Sequence, residues 1–162
     1  MTLDVRPLTY ADSKPLVQLI QNSYGTGIGM WFADKPSSEE AESVVANKLK
    51  MMKEGSLIDN VATINGSLIG DCEIVIHKAT GIIGMTVEQR YSGIGVGHAL
   101  LVASLKKAFS LGITSVIAEI AYGNHDAEMF FAKNGFLVSG SDVIERNGKS
   151  ATVTRMEIIL EK

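Results

Sequence analysis

Apolar residues recur along the first third of the chain at one strand-like and two helix-like spacings. Residues 3–8 alternate apolar and polar side chains, which predicts a strand. Residues 12–25 and 37–55 instead carry apolar residues at helical spacing, the first behind Asp12 and the second behind Ser37. Both polar residues are good helix N-caps. The amino-terminal third is therefore predicted to be a strand followed by two amphipathic helices.

From residue 57 the spacing changes to that of strands. Apolar runs over 57–64 and 67–77 flank Asn65-Gly66, which is a strong signal for a β-hairpin. The remaining predictions are, in order, a strand over 81–87, a helix to about 111, a strand over 114–121, a helix from 124 or 126 to 135, and strands over 136–144 and 151–160 around an Asn147-Gly148 turn.

The predicted helix that ends near residue 111 carries polar and apolar residues at helical spacing. Its apolar face is predicted to contain Leu101, Val102, Leu105, Ala108 and Phe109. Ser104, Lys107 and Ser110 are assigned to another face. This pattern predicts that Val102 and Phe109 are buried and that Ser104 is not.

Composition indicates one domain and excludes several function classes. The 162 residues are 46% hydrophobic and carry a net charge of -3, which suits a single domain over 1–162 without a nucleic-acid partner. No apolar run approaches the roughly 18 residues of a spanning helix. The first residues lack a signal-peptide core, so a cytoplasmic protein with no membrane partner is predicted. Cys72 is the only cysteine and is predicted to be a buried, inert thiol, and no metal site is expected.

A glycine-rich turn separates the strand over 81–87 from the helix that follows. Three residues after Arg90, glycine occupies every second position, at Gly93, Gly95 and Gly97. Glycine lets the backbone approach a ligand closely, and the first turn of a helix offers unpaired N–H groups. The pattern predicts an anion site, most often one for phosphate. The alternative interpretation is a helix entry that needs only a tight turn.

A second glycine-rich stretch, residues 25–36, has no regular period and contains Trp31 and Phe32. Loops that carry large aromatic residues often contribute to binding sites. Trp31 and Phe32 are therefore candidates for an acceptor-binding pocket, and they are equally well explained as anchors in the core.

The order of these elements resembles that of the GNAT superfamily of acyl-CoA N-acyltransferases. The family signature, Gln/Arg-x-x-Gly-x-Gly/Ala at the start of the third helix, is matched by Arg90, Gly93 and Gly95. A second resemblance begins at Asn124, with Ala127, a Tyr position and then Gly-Phe. Here the Tyr position is Phe131, and Gly135-Phe136 follows it.

The resemblance implies an α/β (α+β) fold, with a mixed, mostly antiparallel twisted sheet of about seven strands and four helices. The sheet is splayed between strands 4 and 5. The resemblance also implies acetyl-CoA (coenzyme A) as cofactor, with its pantetheine arm along strand 4 and its pyrophosphate at the glycine turn. The residues implied to bind it are Ile83, Met85, Val87, Arg90, Tyr91, Ser92, Gly93, Ile94, Gly95, Val96, Gly97, His98, Asn124 and Phe131.

The resemblance further implies direct attack of a neutral amine on the thioester through a tetrahedral intermediate. Glu119 is the favoured general base, and its alternative role is that of an ion-paired strand residue. Members with a Tyr where Phe131 stands use its hydroxyl to protonate the thiolate. Tyr122 or water is the replacement here. Weaker candidates for the base are Glu73, His77, Tyr122 and His125.

Three other functions compete with transfer to a small-molecule amine. The acceptor could be a protein or peptide amine, or the chain could be an acyl-CoA-binding regulator without turnover. The third alternative is a dinucleotide-binding unit. Such units carry an acidic ribose ligand about 20 residues after a glycine turn, and Glu119 lies at roughly that distance. The glycine spacing disfavours it, because the third glycine of that motif would fall on His98 or Leu100. A homodimer is left open.

Overall fold

The computed structural model describes residues 2–23, 35–146 and 148–161. This part of the chain forms seven strands and four helices, with 3-10 turns at Tyr10–Asp12 and Gln89–Tyr91. The order is β1 (Leu3–Pro7), α1 (Ser13–Asn22), α2 (Ser38–Glu54), β2 (Leu57–Ile64), β3 (Ser67–His77), β4 (Thr80–Val87), α3 (Val96–Ser110), β5 (Ser115–Ala121), α4 (His125–Lys133), β6 (Leu137–Arg146) and β7 (Lys149–Ile159). Residues 24 and 25 and the predicted turn residue Asn147 lie outside the described ranges.

The seven strands form one mixed sheet in the order β1-β2-β3-β4-β5-β7-β6. Every neighbouring pair is antiparallel except β4 and β5, which run parallel. Their ladder extends from Thr80 opposite Ser115 to Ile83 opposite Ala118 and ends there, although both strands continue. The predicted splayed sheet is confirmed. A doubly wound dinucleotide-binding sheet would need mostly parallel strands, so that alternative is wrong.

Helices cover the sheet on both faces. Helix α3 packs on β2, β3 and β4, over a core that includes Cys72, Ile83 and Ala118. Helices α1 and α2 pack on β3 and β2 around a second cluster that includes Val61. Because side chains alternate along a strand, the residues between those of the α3 core point toward the α1/α2 face. That alternation determines which polar groups of the site meet.

The predicted buried face of α3 is wrong in part. Val102 and Phe109 are 49% and 41% exposed, whereas Ser104 is fully buried. The hydroxyl of Ser104 accepts a hydrogen bond of 3.0 Å from the side-chain amide of Asn60 on β2, which is also buried. A buried amide needs a polar partner. That requirement turns a serine toward the sheet, and the apolar pattern does not reveal it.

Asp12 occupies the predicted N-cap position of α1, but its carboxylate bonds elsewhere. It accepts two hydrogen bonds from the Arg6 guanidinium, at 2.7 and 2.8 Å, and one from the Thr9 backbone N–H at 2.8 Å. The Arg6 hydrogen bonds, with help from Thr9, lower the pKa of Asp12 to about 2 against the opposing effect of burial. The carboxylate thus ties β1 to the start of α1.

This ion pair predicts a pH-dependent contribution to stability. Because the folded-state pKa of Asp12 is lowered, its contribution is present above the ordinary pKa and is lost as pH falls toward about 2. We expect Asp12→Asn to lower the free energy of unfolding by about 1 kcal/mol at neutral pH, since Arg6 is partly exposed. The deficit should shrink in urea titrations at acid pH. The control is Asp4→Asn, on the same strand as Arg6. An equal loss of unfolding free energy in that variant would contradict the assignment.

Candidate active site

The turn between β4 and α3 depends on two glycines with left-handed backbone. Gly93 has a φ of +78° and Gly95 a φ of +91°, a conformation that side-chain-bearing residues rarely adopt. A Cβ at either position would meet nothing within 4 Å. Both glycines are thus required for the path of the backbone, and the turn faces open space.

The start of α3 presents unpaired backbone donors. Gly95 is the N-cap residue, and no side chain of the described residues caps the helix. The first bond of the helix runs from the Ala99 N–H to the Gly95 carbonyl at 3.0 Å. The N–H groups of Val96, Gly97 and His98 therefore lie ahead of the helical ladder, at the positive end of the helix dipole. The geometry fits a phosphate group.

Gly97 has a different role from the other two glycines. It lies in the first turn of α3, where a Cβ would come within 3.3 Å of the Phe130 ring. A glycine here lets α3 and α4 approach closely. The His98 ring adds a 2.8 Å hydrogen bond between its Nδ1 and the Asn134 side chain just past α4. The two contacts hold the N-terminus of α3 against α4.

Arg90 is the cation beside this turn. Its side chain is 70% exposed, and its Nε donates to Glu88 at 2.6 Å. Its guanidinium carbon lies 5.0 Å from the centre of the Tyr91 ring. Ser92 and Ile94, which complete the predicted cofactor set at the turn, are both exposed.

We expect Gly95→Ala to weaken acetyl-CoA binding about tenfold, because an alanine strains the left-handed backbone and displaces the donors at the helix start. Gly112→Ala is the matched control. Gly112 has a φ of +84° and open space around its Cβ, but it follows the opposite end of the same helix. Both variants should lose similar thermal stability, and calorimetric titration should detect weaker binding in Gly95→Ala alone. Equal affinities in the two variants would remove the turn from the donor site.

The splayed end of β4 offers a second set of backbone groups. The Glu88 N–H donates to the Ile69 carbonyl of β3 at 2.7 Å. Backbone direction alternates along an antiparallel pair, so Ile83, Met85 and Val87 direct their backbone groups away from β3, toward β5. Ile83 is the last residue of the ladder with β5, and Met85 and Val87 lie beyond it. This edge can bind an extended ligand.

Three further predicted residues lie between β5 and α4 or on α4. Asn124 caps α4, and its side-chain oxygen accepts from the Ala127 N–H at 3.2 Å. Phe131 is fully buried with its ring edge-on to Phe130 and Phe136, so its contact with a cofactor stays a prediction. Tyr122 follows β5 and is 77% exposed.

Glu119 is the first residue of β5 past the ladder with β4. Its neighbours Ala118 and Ile120 belong to the α3 core, so the carboxylate points toward the α1/α2 face. The residue is buried, and one carboxylate oxygen lies 3.9 Å from an Arg155 guanidinium nitrogen on β7. The other terminal nitrogen of the Arg155 guanidinium lies 3.7 Å from a carboxylate oxygen of Asp142. Glu119 therefore lies at the splay, where the predicted base could act, and also forms the ion pair of the alternative interpretation.

The strand register continues this position into a transverse row on the same face. Asp59 lies opposite Glu73, Glu73 opposite Gly84, and Glu119 opposite Arg155. Gly84 and Glu119 each directly follow the last β4–β5 pair and so join the two halves. We call these five residues the acidic row. It has no side chain at its centre, where Gly84 lies.

A buried lysine anchors one end of the acidic row. Lys48 of α2 places its Nζ 2.8 Å from Asp59, 3.0 Å from Asp71 and 3.0 Å from Glu73. Burial by itself would lower the pKa of Lys48, but the carboxylates of Asp71, Asp59 and Glu73 raise it well above its ordinary value. The lysine is therefore charged, and it joins α2 to β2 and β3.

The other sequence candidates lie apart from this row. Trp31 and Phe32 lie outside the described residues, so their acceptor-binding role stays a prediction. His77 at the end of β3 and His125 at the start of α4 are exposed. Cys72 is buried, which raises the pKa of its thiol, in agreement with the predicted inert residue. The described residues contain no group of His, Cys, Asp and Glu able to hold a metal ion.

A cleft of about 590 Å³ lies next to the glycine turn, between α1, the β2–β3 turn and residues 88–90. It shares Arg90 with the predicted phosphate site, and Glu119 is not part of its lining. The cleft is therefore next to the donor turn and separate from the acidic row.

Sequence reasoning missed Lys48 and Arg155. A signal existed for the lysine, because Lys48 lies seven residues after Ala41 and three after Val45 on the apolar stripe of α2. A lysine in such a stripe predicts buried acidic partners. For Arg155 only the strand register provides the signal.

The sequence matches the family model "Acetyltransferase (GNAT) family" over residues 23–136, more than half of the chain. The chain belongs to this family. GNAT membership makes it an acyltransferase and confirms the resemblance inferred from Arg90, Gly93 and Gly95. No curated protein matches the sequence. Within the described ranges, no helix combines the length and the apolar character needed to cross a bilayer.

Solved GNAT structures share the fold at low sequence identity. An acetyltransferase of the GNAT family from Streptococcus pneumoniae is 24% identical, with a TM-score of 0.78 over 98% of this chain and 100% of that chain. A ribosomal-protein-alanine N-acetyltransferase from Brucella melitensis is 19% identical, with a TM-score of 0.81 over 97% and 99%. A phosphinothricin acetyltransferase from Sinorhizobium meliloti, in complex with acetyl-CoA, is 20% identical, with a TM-score of 0.81 over 99% and 89%. Homologous structures hold acetyl-CoA or CoA, which confirms the predicted cofactor at the level of the family.

Proposed function

We propose that this GNAT protein is an N-acetyltransferase that moves an acetyl group from acetyl-CoA to a primary amine of a small molecule. The observation that carries the proposal is the position of Glu119. It is the first β5 residue beyond the ladder with β4, beside the free edge of β4, and that strand leads into a glycine turn that suits an acyl-CoA.

The donor fits residues of two elements. The N–H groups of Val96, Gly97 and His98 would bind the pyrophosphate, with Arg90 adding positive charge. The backbone of Met85 and Val87 would bind the extended arm along the splayed edge. Bound acetyl-CoA supplies the acetyl group as a thioester, and an N–H of this edge is suited to stabilise the carbonyl oxygen.

The protein's part in transfer is to move protons. Glu119 accepts a proton from the acceptor nitrogen, directly or through one water, as that nitrogen bonds to the acetyl carbon and the carbon–sulfur bond breaks. The released thiolate takes up a proton, for which Tyr122 is the nearest candidate in sequence to Glu119. A thiol with an ordinary pKa near 8.5 is a tolerable leaving group, so this second proton is the less demanding one.

The burial of the site supports a small acceptor. Glu119 is buried, and the acidic row lies on a mostly buried face of the sheet, which suits a small amine better than a folded protein. Three acceptors are named among the structural neighbours: phosphinothricin and spermidine are small molecules, and a ribosomal-protein alanine belongs to a protein. A protein or peptide amine is therefore the second candidate, and a regulator without turnover is the third.

Two measurements test the proposal. Acetyl-CoA should raise the melting temperature of the protein by mass action, whereas NAD should leave it unchanged. Thiol release from acetyl-CoA should then occur with small primary amines and not with peptide amino termini. Stabilisation by acetyl-CoA without thiol release from any amine would leave the regulator, and release with peptides alone would leave the protein acetyltransferase.

A further inference from the structure

Two carboxylates of the acidic row, those of Glu73 and Glu119, flank Gly84, the glycine at the splay. Glu73 and Glu119 are separated by β4, and since β4 and β5 diverge past Ile83, their Cα atoms lie at least about 10 Å apart, two strand spacings. Gly84 contributes no side chain between them. A ligand that reaches Glu119 along this row also has Glu73 within the length of a short aliphatic chain.

The Glu73 end of the row has an excess of negative charge. Asp59, Asp71 and Glu73 share Lys48 as their cation, and the Glu73 side chain is the most accessible of the three carboxylates at 23% exposed. Burial raises the pKa of Asp59, and the charge of Asp71 adds to that rise over the opposing effect of Lys48. Three acidic side chains therefore share one ammonium. An uncompensated buried charge is costly, and a cation near Glu73 would offset it.

Thr86 gives an independent sign of a missing partner. The residue is 1% exposed, and its hydroxyl oxygen has no hydrogen-bond partner among the described residues. It lies opposite Asp71 and one pleat along from Gly84, on the face of the acidic row. A buried hydroxyl without a partner is unfavourable, and its oxygen can accept a hydrogen bond from an ammonium group.

We infer that the acceptor is a short diamine, whose reacting nitrogen lies at Glu119 and whose second, positively charged nitrogen is held by Glu73 and the Thr86 hydroxyl. The binding site for the second ammonium is part of the same active site, so this inference rests on the proposed function. Glu73 and Thr86 are specificity residues that bind the second ammonium and take no part in the proton transfer. Gly84 gives the carbon chain a path between the two ends.

A length-matched pair of amines tests this assignment. With acetyl-CoA, kcat/KM should be about tenfold higher for 1,4-diaminobutane than for butylamine, mainly through KM, because the diamine gains a charged hydrogen bond. Glu73→Gln should lower kcat/KM for the diamine to the value that the same variant shows for butylamine. Thr86→Val should raise KM for the diamine severalfold. Glu54→Gln, at the exposed end of α2, should change neither amine.

The variants separate binding from structure. If Thr86 were only structural, Thr86→Val would raise the melting temperature and leave the diamine preference intact. Equal kcat/KM for the two amines in the parent protein would overturn the binding site for the second ammonium, while the acetyltransferase function would stand. If no amine were acetylated, the proposed function would fail. Calorimetric titration of CoA-loaded protein with 1,4-diaminobutane would then decide whether the diamine binds at Glu73. Weaker binding in Glu73→Gln would support it, and unaltered or absent binding would overturn it.

Discussion

Replacing Glu119 with glutamine is expected to lower kcat for amine acetylation by about 100-fold or more, within the range that general base catalysis supplies. The amide keeps the size of the side chain and cannot accept the proton. Because Glu119 lies apart from the α3 N-terminus, acetyl-CoA should stabilise the variant as much as the parent. The measurement is steady-state thiol release together with a thermal-shift titration of acetyl-CoA.

Arg155 provides a matched control for this substitution. Its guanidinium lies 3.9 Å from Glu119 on one side and 3.7 Å from Asp142 on the other, and Asp142 is exposed on β6. If Glu119 served only as an ion-pair partner, Asp142→Asn would have a comparable effect on kcat. We expect Asp142→Asn to retain nearly full activity. Similar rates in the two variants would transfer the base role away from Glu119.

The sequence predicted the elements well because their ends carry strong local signals. The capping box of Ser37 and the left-handed Gly55 bound α2 as expected, and Asn65-Gly66 turns β2 into β3. Glycines mark positions where the backbone itself requires them, so their meaning survives without tertiary context. The proposed donor contacts at residues 90–98 lie on one such turn, which is why the sequence alone suggests them.

The acceptor half could not be predicted in the same way. The acidic row joins residues from five strands that are neighbours only through the register, and its members are up to 96 positions apart, from Asp59 to Arg155. The partly wrong face of α3 has a related cause. Ser104 is buried because Asn60 on β2 needs a partner, and a helical pattern holds no information about that strand.

Replacing Lys48 with methionine is expected to cause the largest loss of stability, about 3–5 kcal/mol at neutral pH. Methionine fills a similar volume in α2 but leaves Asp59, Asp71 and Glu73 without their shared cation. A buried carboxylate that loses its cation either stays charged at high cost or takes up a proton. Urea unfolding of Lys48→Met should therefore show a much lower midpoint than that of Lys50→Met, a control on the exposed side of the same helix.

The pH dependence of this loss has a definite sign. The pKa of Asp59 is raised by burial, with Asp71 adding to the rise and Lys48 opposing it, so removing Lys48 raises it further. A carboxyl whose folded-state pKa is raised binds more protons when folded, so the folded state loses stability as pH rises above the ordinary carboxyl pKa. The deficit of Lys48→Met should consequently be smallest near pH 4 and should grow toward neutral pH. A deficit that stayed constant across this range would mean that lost packing, and not uncompensated charge, destabilises the variant.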